Sequence, residues 1–125
     1  MKKRIFCLIS LMLCIFLLCG CGVNTDSSAK ALEKKGYTVN IYDAELIEDM
    51  KNNMVYGYGG DGKILSAFSA VNGDENVVVI EFQLKSDLEI MYRELSGGLS
   101  KPEKIDFNGN ILAYGTKKAV KIALK

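Results

Sequence analysis

The sequence predicts an α+β domain, and three observations lead there. Two β-rich runs, residues 64–71 and 76–84, flank Asn72-Gly73-Asp74-Glu75, a set of turn formers that should close an antiparallel hairpin. Asn108-Gly109, flanked by residues 104–107 and 110–114, signals a second hairpin. Between the hairpins Leu88, Met91, Tyr92 and Leu95 fall at i, i+3, i+4 and i+7, the spacing of one helical face. The expectation is a four- or five-stranded, largely antiparallel sheet with helices mainly on one face.

Taken in order from residue 22, Gly22 to Ser28 (GVNTDSS) is polar and without apolar periodicity, and reads as a flexible tether. A short helix, 29–35, follows with Ser27 or Ser28 as its cap. Gly36 stands at the C′ position, which pairs Leu32 at C3 with Tyr37 at C″ as in a Schellman ending. Strict alternation then puts Tyr37, Val39 and Ile41 on one face of a strand. Asp43 can cap a second helix, 44–52, with Leu46, Ile47, Met50 and Met54 on its apolar side.

Residues 54–63 (MVYGYGGDGK) form a glycine-rich loop before the first hairpin. Ser86-Asp87-Leu88-Glu89 has the form of a capping box for the Leu88 helix, which Gly97-Gly98 stops. After the second hairpin, Gly115-Thr116 ends the strand. Thr116 caps a last helix, 117–124, with Val120, Ala123 and Leu124 as its apolar side. With the last hairpin counted as one position, the centre reads βαββαβ, the order of a ferredoxin-like fold.

Composition narrows the function classes. The first 20 residues hold three basic and no acidic side chains, so the overall charge of +1 hides a remainder of 13 basic against 15 acidic residues, or −2. Interspersed charges of that balance give no field to draw in nucleic acid. The chain has no histidine, which removes Ser-His and Cys-His nucleophiles and His-ligated zinc. No cofactor or metal is implied. About 105 residues suit one domain with one small core.

Met1 to Arg4 is a basic start, and Ile5 to Cys19 is an apolar run interrupted only by Ser10. The run is shorter than the roughly 20 apolar residues that cross a bilayer, and it fits the n-region and h-region of a secretory signal. It ends in Leu18-Cys19-Gly20-Cys21, which resembles the lipobox of bacterial lipoprotein precursors. The resemblance implies cleavage between Gly20 and Cys21 and a diacylglyceryl thioether on the Cys21 sulfur. It further implies acylation or retention of the new amino terminus and a cell-membrane location on the extracytoplasmic face. On that footing residues 1–20 are a signal peptide, 21–28 the lipidated cysteine and tether, and 29–125 a single domain. All four cysteines lie in the first 21 positions, so such a mature domain has no free thiol and no disulfide.

Several constellations could bind or react. Gly57-Tyr58-Gly59-Gly60-Asp61-Gly62 matches G-x-G-x-x-G, but the segment from Lys63 onward is strand-like, whereas a dinucleotide fingerprint must open a helix. Tyr56, Tyr58 and Asp61 are instead candidates for a ligand or partner loop. Asp61, Asp74 and Glu75 lack the spacing of a calcium loop and read as solvated turn carboxylates. Glu45, Glu48 and Asp49 read as a solvated acidic helix face. Thr116, Lys117 and Lys118 at a helix start form a candidate anion site, and lysines 117, 118, 121 and 125 could face anionic headgroups. Arg93, the only arginine of the mature chain, stands without a visible partner.

The expected function is a membrane-anchored, non-catalytic binding or interaction module at the cell envelope. The alternatives are a structural or inhibitory protein acting through a sheet edge or tyrosine surface, and a carboxylate-based envelope enzyme.

Overall fold

Residues 23–55, 63–98 and 101–125 are described by a computed structural model. The elements run α1 (Thr25–Lys34), β1 (Thr38–Ile41), α2 (Ala44–Met50) continued by a π-helical turn (Lys51–Val55), and β2 (Ile64–Asn72). They continue with β3 (Glu75–Phe82), α3 (Lys85–Gly97), β4 (Lys104–Asn108), β5 (Ile111–Gly115) and α4 (Lys117–Ala123). The fold is α+β, built on one five-stranded sheet in the order β1-β2-β3-β5-β4 with every neighbouring pair antiparallel.

Period-two alternation divides the inner strands between two cores. Phe68, Ala70, Val77, Val79, Ile111 and Ala113 face α1 and α4, meeting Leu32, Ala119, Val120 and Ala123. Ala67, Ile80, Phe82 and Leu112 face the other way, toward Leu88 and Met91 of α3 and Ile47 and Met50 of α2. The helices therefore cover both faces, not mainly one. Strands apolar on both sides need two covers, since either face left open would hold a large apolar surface in water. The ferredoxin-like order is not found either. That order depends on parallel neighbours joined by helical crossovers, whereas here β1 pairs with β2 and β3 with β5, all antiparallel.

The first helix ends as its sequence predicts. The Tyr37 N–H donates to Leu32 O and the Gly36 N–H to Glu33 O, with Gly36 at φ +90°, which completes the Schellman motif. Leu32 and Tyr37 both enter the α1/α4 core. Its start differs, because Asn24 and not Ser27 or Ser28 is the cap. Asn24 Oδ1 accepts from the Ser27 N–H at 2.8 Å, and Ser27 Oγ accepts from the Asn24 N–H at 3.1 Å. The helix thus absorbs residues 25–28 of the expected tether. Ser28 is buried and donates to Ala123 O at 2.8 Å, tying α1 to α4, while Thr25 Oγ1 lies 2.6 Å from Ser66 Oγ.

Asp43 caps α2 by accepting from the Leu46 N–H at 2.9 Å, so residues 44–50 are helical as expected. Leu46 is exposed, and Ile47 and Met50 supply the packing. The capping box expected at Ser86 does not form. α3 starts two residues earlier with Leu84 at the N-cap and no side-chain bond, and Asp87 is buried. Contacts outside the helix fix this start. Lys85 Nζ donates to Gly109 O, and Asn110 Nδ2 donates to Gln83 O.

Both hairpins have two-residue loops, Gly73-Asp74 and Gly109-Asn110, with only the glycine at positive φ (+59° and +62°). A first central glycine with an ordinary second residue is the II′ pattern. In the second hairpin this places Asn108 opposite Ile111, so the turn sits one residue later than Asn-Gly alone suggests.

Gly115 closes the sheet. It pairs with Val77 at φ +151°, and a Cβ there would overlap Asn76 O and stand 2.8 Å from Val77 Cα. Gly115→Ala should therefore cost at least about 3 kcal/mol through strain and overpacking together. A thermal melt within a degree or two of the parent would refute this.

The Tyr37 hydroxyl is buried with no hydrogen-bond partner among the described residues. Burial, with Glu75 adding to it, pushes its pKa above 10.0. A raised folded pKa stabilises below the unfolded value near pH 10, and that stabilisation is lost as pH rises through the folded value. Tyr37→Phe removes a desolvated hydroxyl, so it should raise stability at neutral pH by up to about 1 kcal/mol. Melts above about pH 10 should also fall less steeply in the variant. A less stable variant with an unchanged alkaline slope would contradict the assignment.

Candidate functional site

α4 leaves β5 at Thr116 and runs back along the sheet beside the edge strand β4. Val120 is buried against β3 and β5, and this fixes the rotation of the helix. At 3.6 residues per turn, Lys117, Lys121, Leu124 and Lys125 then fall on the side turned toward β4. On β4, Ile105 packs toward α3 and the Phe107 ring meets Tyr92 edge-on at 5.4 Å, so Lys104 and Asp106 emerge on the α4 side. Asn108 Nδ2 donates to Leu124 O at 3.2 Å and pins the helix end to the strand.

The result is a groove of about 380 Å³ lined by Lys104, Asp106, Lys117, Val120, Lys121, Leu124 and Lys125. Its floor is apolar and its rim holds four ammonium groups against one carboxylate. Among the described residues none of these lysines is within ion-pairing distance of an acidic side chain. A concave apolar floor under an uncompensated cationic rim suits a ligand with an anionic group and an apolar body. The groove joins residues 104–106 to 117–125, so no contiguous motif could have announced it. The one available signal was the four-residue repeat Lys117, Lys121, Lys125.

The anion site expected at Thr116, Lys117 and Lys118 is not assembled. Thr116 Oγ1 donates to Glu75 Oε2 and accepts from the Asn76 N–H at 3.1 Å, and the Lys117 N–H donates to Glu103 Oε1 at 3.3 Å. Carboxylates from β3 and the loop before β4 already serve this helix start. Lys117 joins the groove instead, while Lys118 is exposed and does not line it.

Tyr56, Tyr58 and Asp61 lie outside the described residues, as do Gly20 and Cys21. Asp74 is exposed in the first turn. Glu45, Glu48 and Asp49 are exposed on α2, with Glu48 Oε2 3.6 Å from Lys51 Nζ. Glu45 and Asp49 line a second groove of about 360 Å³ with Asn40, Ile41, Tyr42, Asp43 and Leu46. The two grooves thus carry opposite charge at opposite edges of the sheet. Arg93 is exposed on α3. Tyr114, half-buried toward α3, has its pKa raised by burial and then by Tyr42. Among the described residues no helix is long and apolar enough to cross a membrane.

Four neighbouring ammonium groups repel one another when nothing neutralises them. Lys121→Gln, central in the groove, should therefore stabilise the fold at low ionic strength by a few tenths of a kcal/mol. That gain should vanish at about 1 M salt, where charges are screened within about 3 Å. A lysine variant that is destabilised at both salt concentrations would show that the ammonium is compensated. The chain matches no protein-family model, no curated protein and no solved structure.

Proposed function

We propose that the chain is a bacterial lipoprotein, anchored through Cys21 on the extracytoplasmic face of the cell membrane, whose domain is a non-catalytic binding module. The observation that supports this most is the junction between signal and fold. The lipobox residues Leu18-Cys19-Gly20-Cys21 stand immediately ahead of Val23, which packs on the core, and Asn24, which caps α1. Two acyl chains on Cys21, at ~0.8 kcal/mol per buried CH₂, would hold the domain at the membrane on the order of 20 kcal/mol deep. Anchoring is then permanent, and the domain is free to act by local capture. The lysine groove is the surface best formed for this, and its chemistry suits an anionic ligand.

A second reading is supported by β1. It is an edge strand whose last residue, Ile41, is largely exposed, so a partner strand could add to the sheet there. The carboxylate enzyme has less to support it, since Glu45, Glu48 and Asp49 are solvated and none is held against a second buried acid.

Cys21→Ser should abolish acylation, so that the protein leaves the membrane fraction or persists as an uncleaved precursor. Fractionation with immunoblotting and mass measurement of the amino-terminal peptide reads both outcomes. Normal processing with unchanged membrane retention would sink the lipoprotein assignment.

A further inference from the structure

The exposed large apolar side chains are not scattered. At one end of the sheet β2 and β5 begin and β3 and β4 finish, as the pairs Ile64 with Phe82, Glu81 with Ile111 and Asn108 with Ile111 establish. Leu65, the bulged residue at the start of β2, is 54% exposed there; Leu84, just past β3, is 45% exposed, and Phe107 on β4 is 39% exposed. Lys63, Lys85 and Lys125 stand among them. The Lys63 carbonyl accepts from the Gln83 N–H, Lys85 Nζ sits 4.1 Å from the Phe107 ring centre, and Leu124 beside Lys125 is held by Asn108.

The amino terminus enters at this same end. Thr25 Oγ1 lies 2.6 Å from the hydroxyl of Ser66, the neighbour of Leu65. Four residues from Cys21 to Thr25 reach at most about 14 Å when fully extended. An acylated Cys21 therefore holds this end, and not the opposite one, against the bilayer. Val71, also exposed, lies at the opposite end beside the first hairpin turn.

We propose that the Leu65, Leu84 and Phe107 rim, with Lys63, Lys85 and Lys125, is a lipid-facing surface that seats the domain on the interface of an anionic bilayer. The inference rests on the lipoprotein assignment and deepens it, since the anchor sets which end meets lipid and the rim sets how. Apolar side chains ringed by lysines match a boundary where acyl chains meet anionic headgroups. Ile41 is excluded from the seat, because Asp43, Glu45 and Asp49 share its groove and are repelled by such a surface. The domain is thus tilted toward its β4 edge.

The test uses the full chain, processed in cells, purified and placed in vesicles of phosphatidylcholine and phosphatidylglycerol. An acylated mature chain has no other thiol, so Leu84→Cys and Val71→Cys each accept a single fluorescent label. A lipid-borne nitroxide should quench the Leu84→Cys label several-fold more than the Val71→Cys label, and aqueous iodide should show the reverse order. Equal quenching of the two, with the acyl mass present on the peptide beginning at Cys21, overturns the seat and leaves the anchor standing. A Leu84→Cys label shielded from iodide but untouched by the nitroxide means that protein covers the rim, which also overturns the seat. Absence of the acyl mass removes the anchor and the seat together.

Discussion

The inner strands present apolar side chains on both faces, and the rest of the structure depends on covering them. Phe68, Val77, Val79 and Ile111 turn one way, and Ala67, Ile80, Phe82 and Leu112 turn the other. One helical layer would leave half of this surface in water, at about 25 cal/mol for each Å². α1 and α4 therefore close one side while α2 and α3 close the other. With no disulfide available to the described residues, cohesion rests on these two interfaces and the backbone ladder between them.

Covering the first face obliges the two ends of the chain to meet. α1 and α4 lie antiparallel over β2, β3 and β5, and the Ser28 hydroxyl bonds to Ala123 O at their contact. The first turn of α1 and the last turn of α4 thus share one end of the sheet with the second hairpin. The proposed anchor at Cys21 would therefore fix the orientation of that whole end, because the four residues from there to Thr25 are too few to act as a free leash. The geometry of such an anchor would in this sense be a product of core packing.

Much of this was legible where the signal is local. The Gly36 ending, the Asp43 cap and both hairpins depend on residues a few positions apart, and each forms at or within one residue of its expected place. What escaped depends on residues far apart in sequence. Ser28 looks like tether until Ala123 receives its hydroxyl. Ser86 looks like a cap until Lys85 and Asn110 set the start of α3 from the far hairpin. The runs 64–71 and 76–84 state that strands exist, but dense apolar residues on both parities leave open which face a helix takes. The groove was hidden for the same reason, since Lys104 and Lys121 become neighbours only when α4 folds back beside β4.

Charge then separates what packing leaves alike. Both sheet edges carry a groove of similar size, but Lys104, Lys117, Lys121 and Lys125 line one while Asp43, Glu45 and Asp49 line the other. The balance of 13 basic against 15 acidic side chains over residues 21–125 conceals this division, because the two grooves set opposite charges at opposite edges of the sheet. Beside the anionic bilayer of the proposed anchor such a separation of charge would feel a torque even when its net attraction is small, and the Lys125 end of the lysine groove would turn toward the lipid within about a Debye length of the surface. The acyl chains supply the affinity under the proposed anchor, which leaves the charges only to choose the angle. Under the proposed seat, an angle that brings Lys125 to the headgroups would leave Lys104 and Lys117 facing outward, because α4 runs from the far end of β5 toward the end where the second hairpin turns. On that proposal the groove would open away from the membrane at the Lys104 and Lys117 end, where an anionic ligand from outside would enter it.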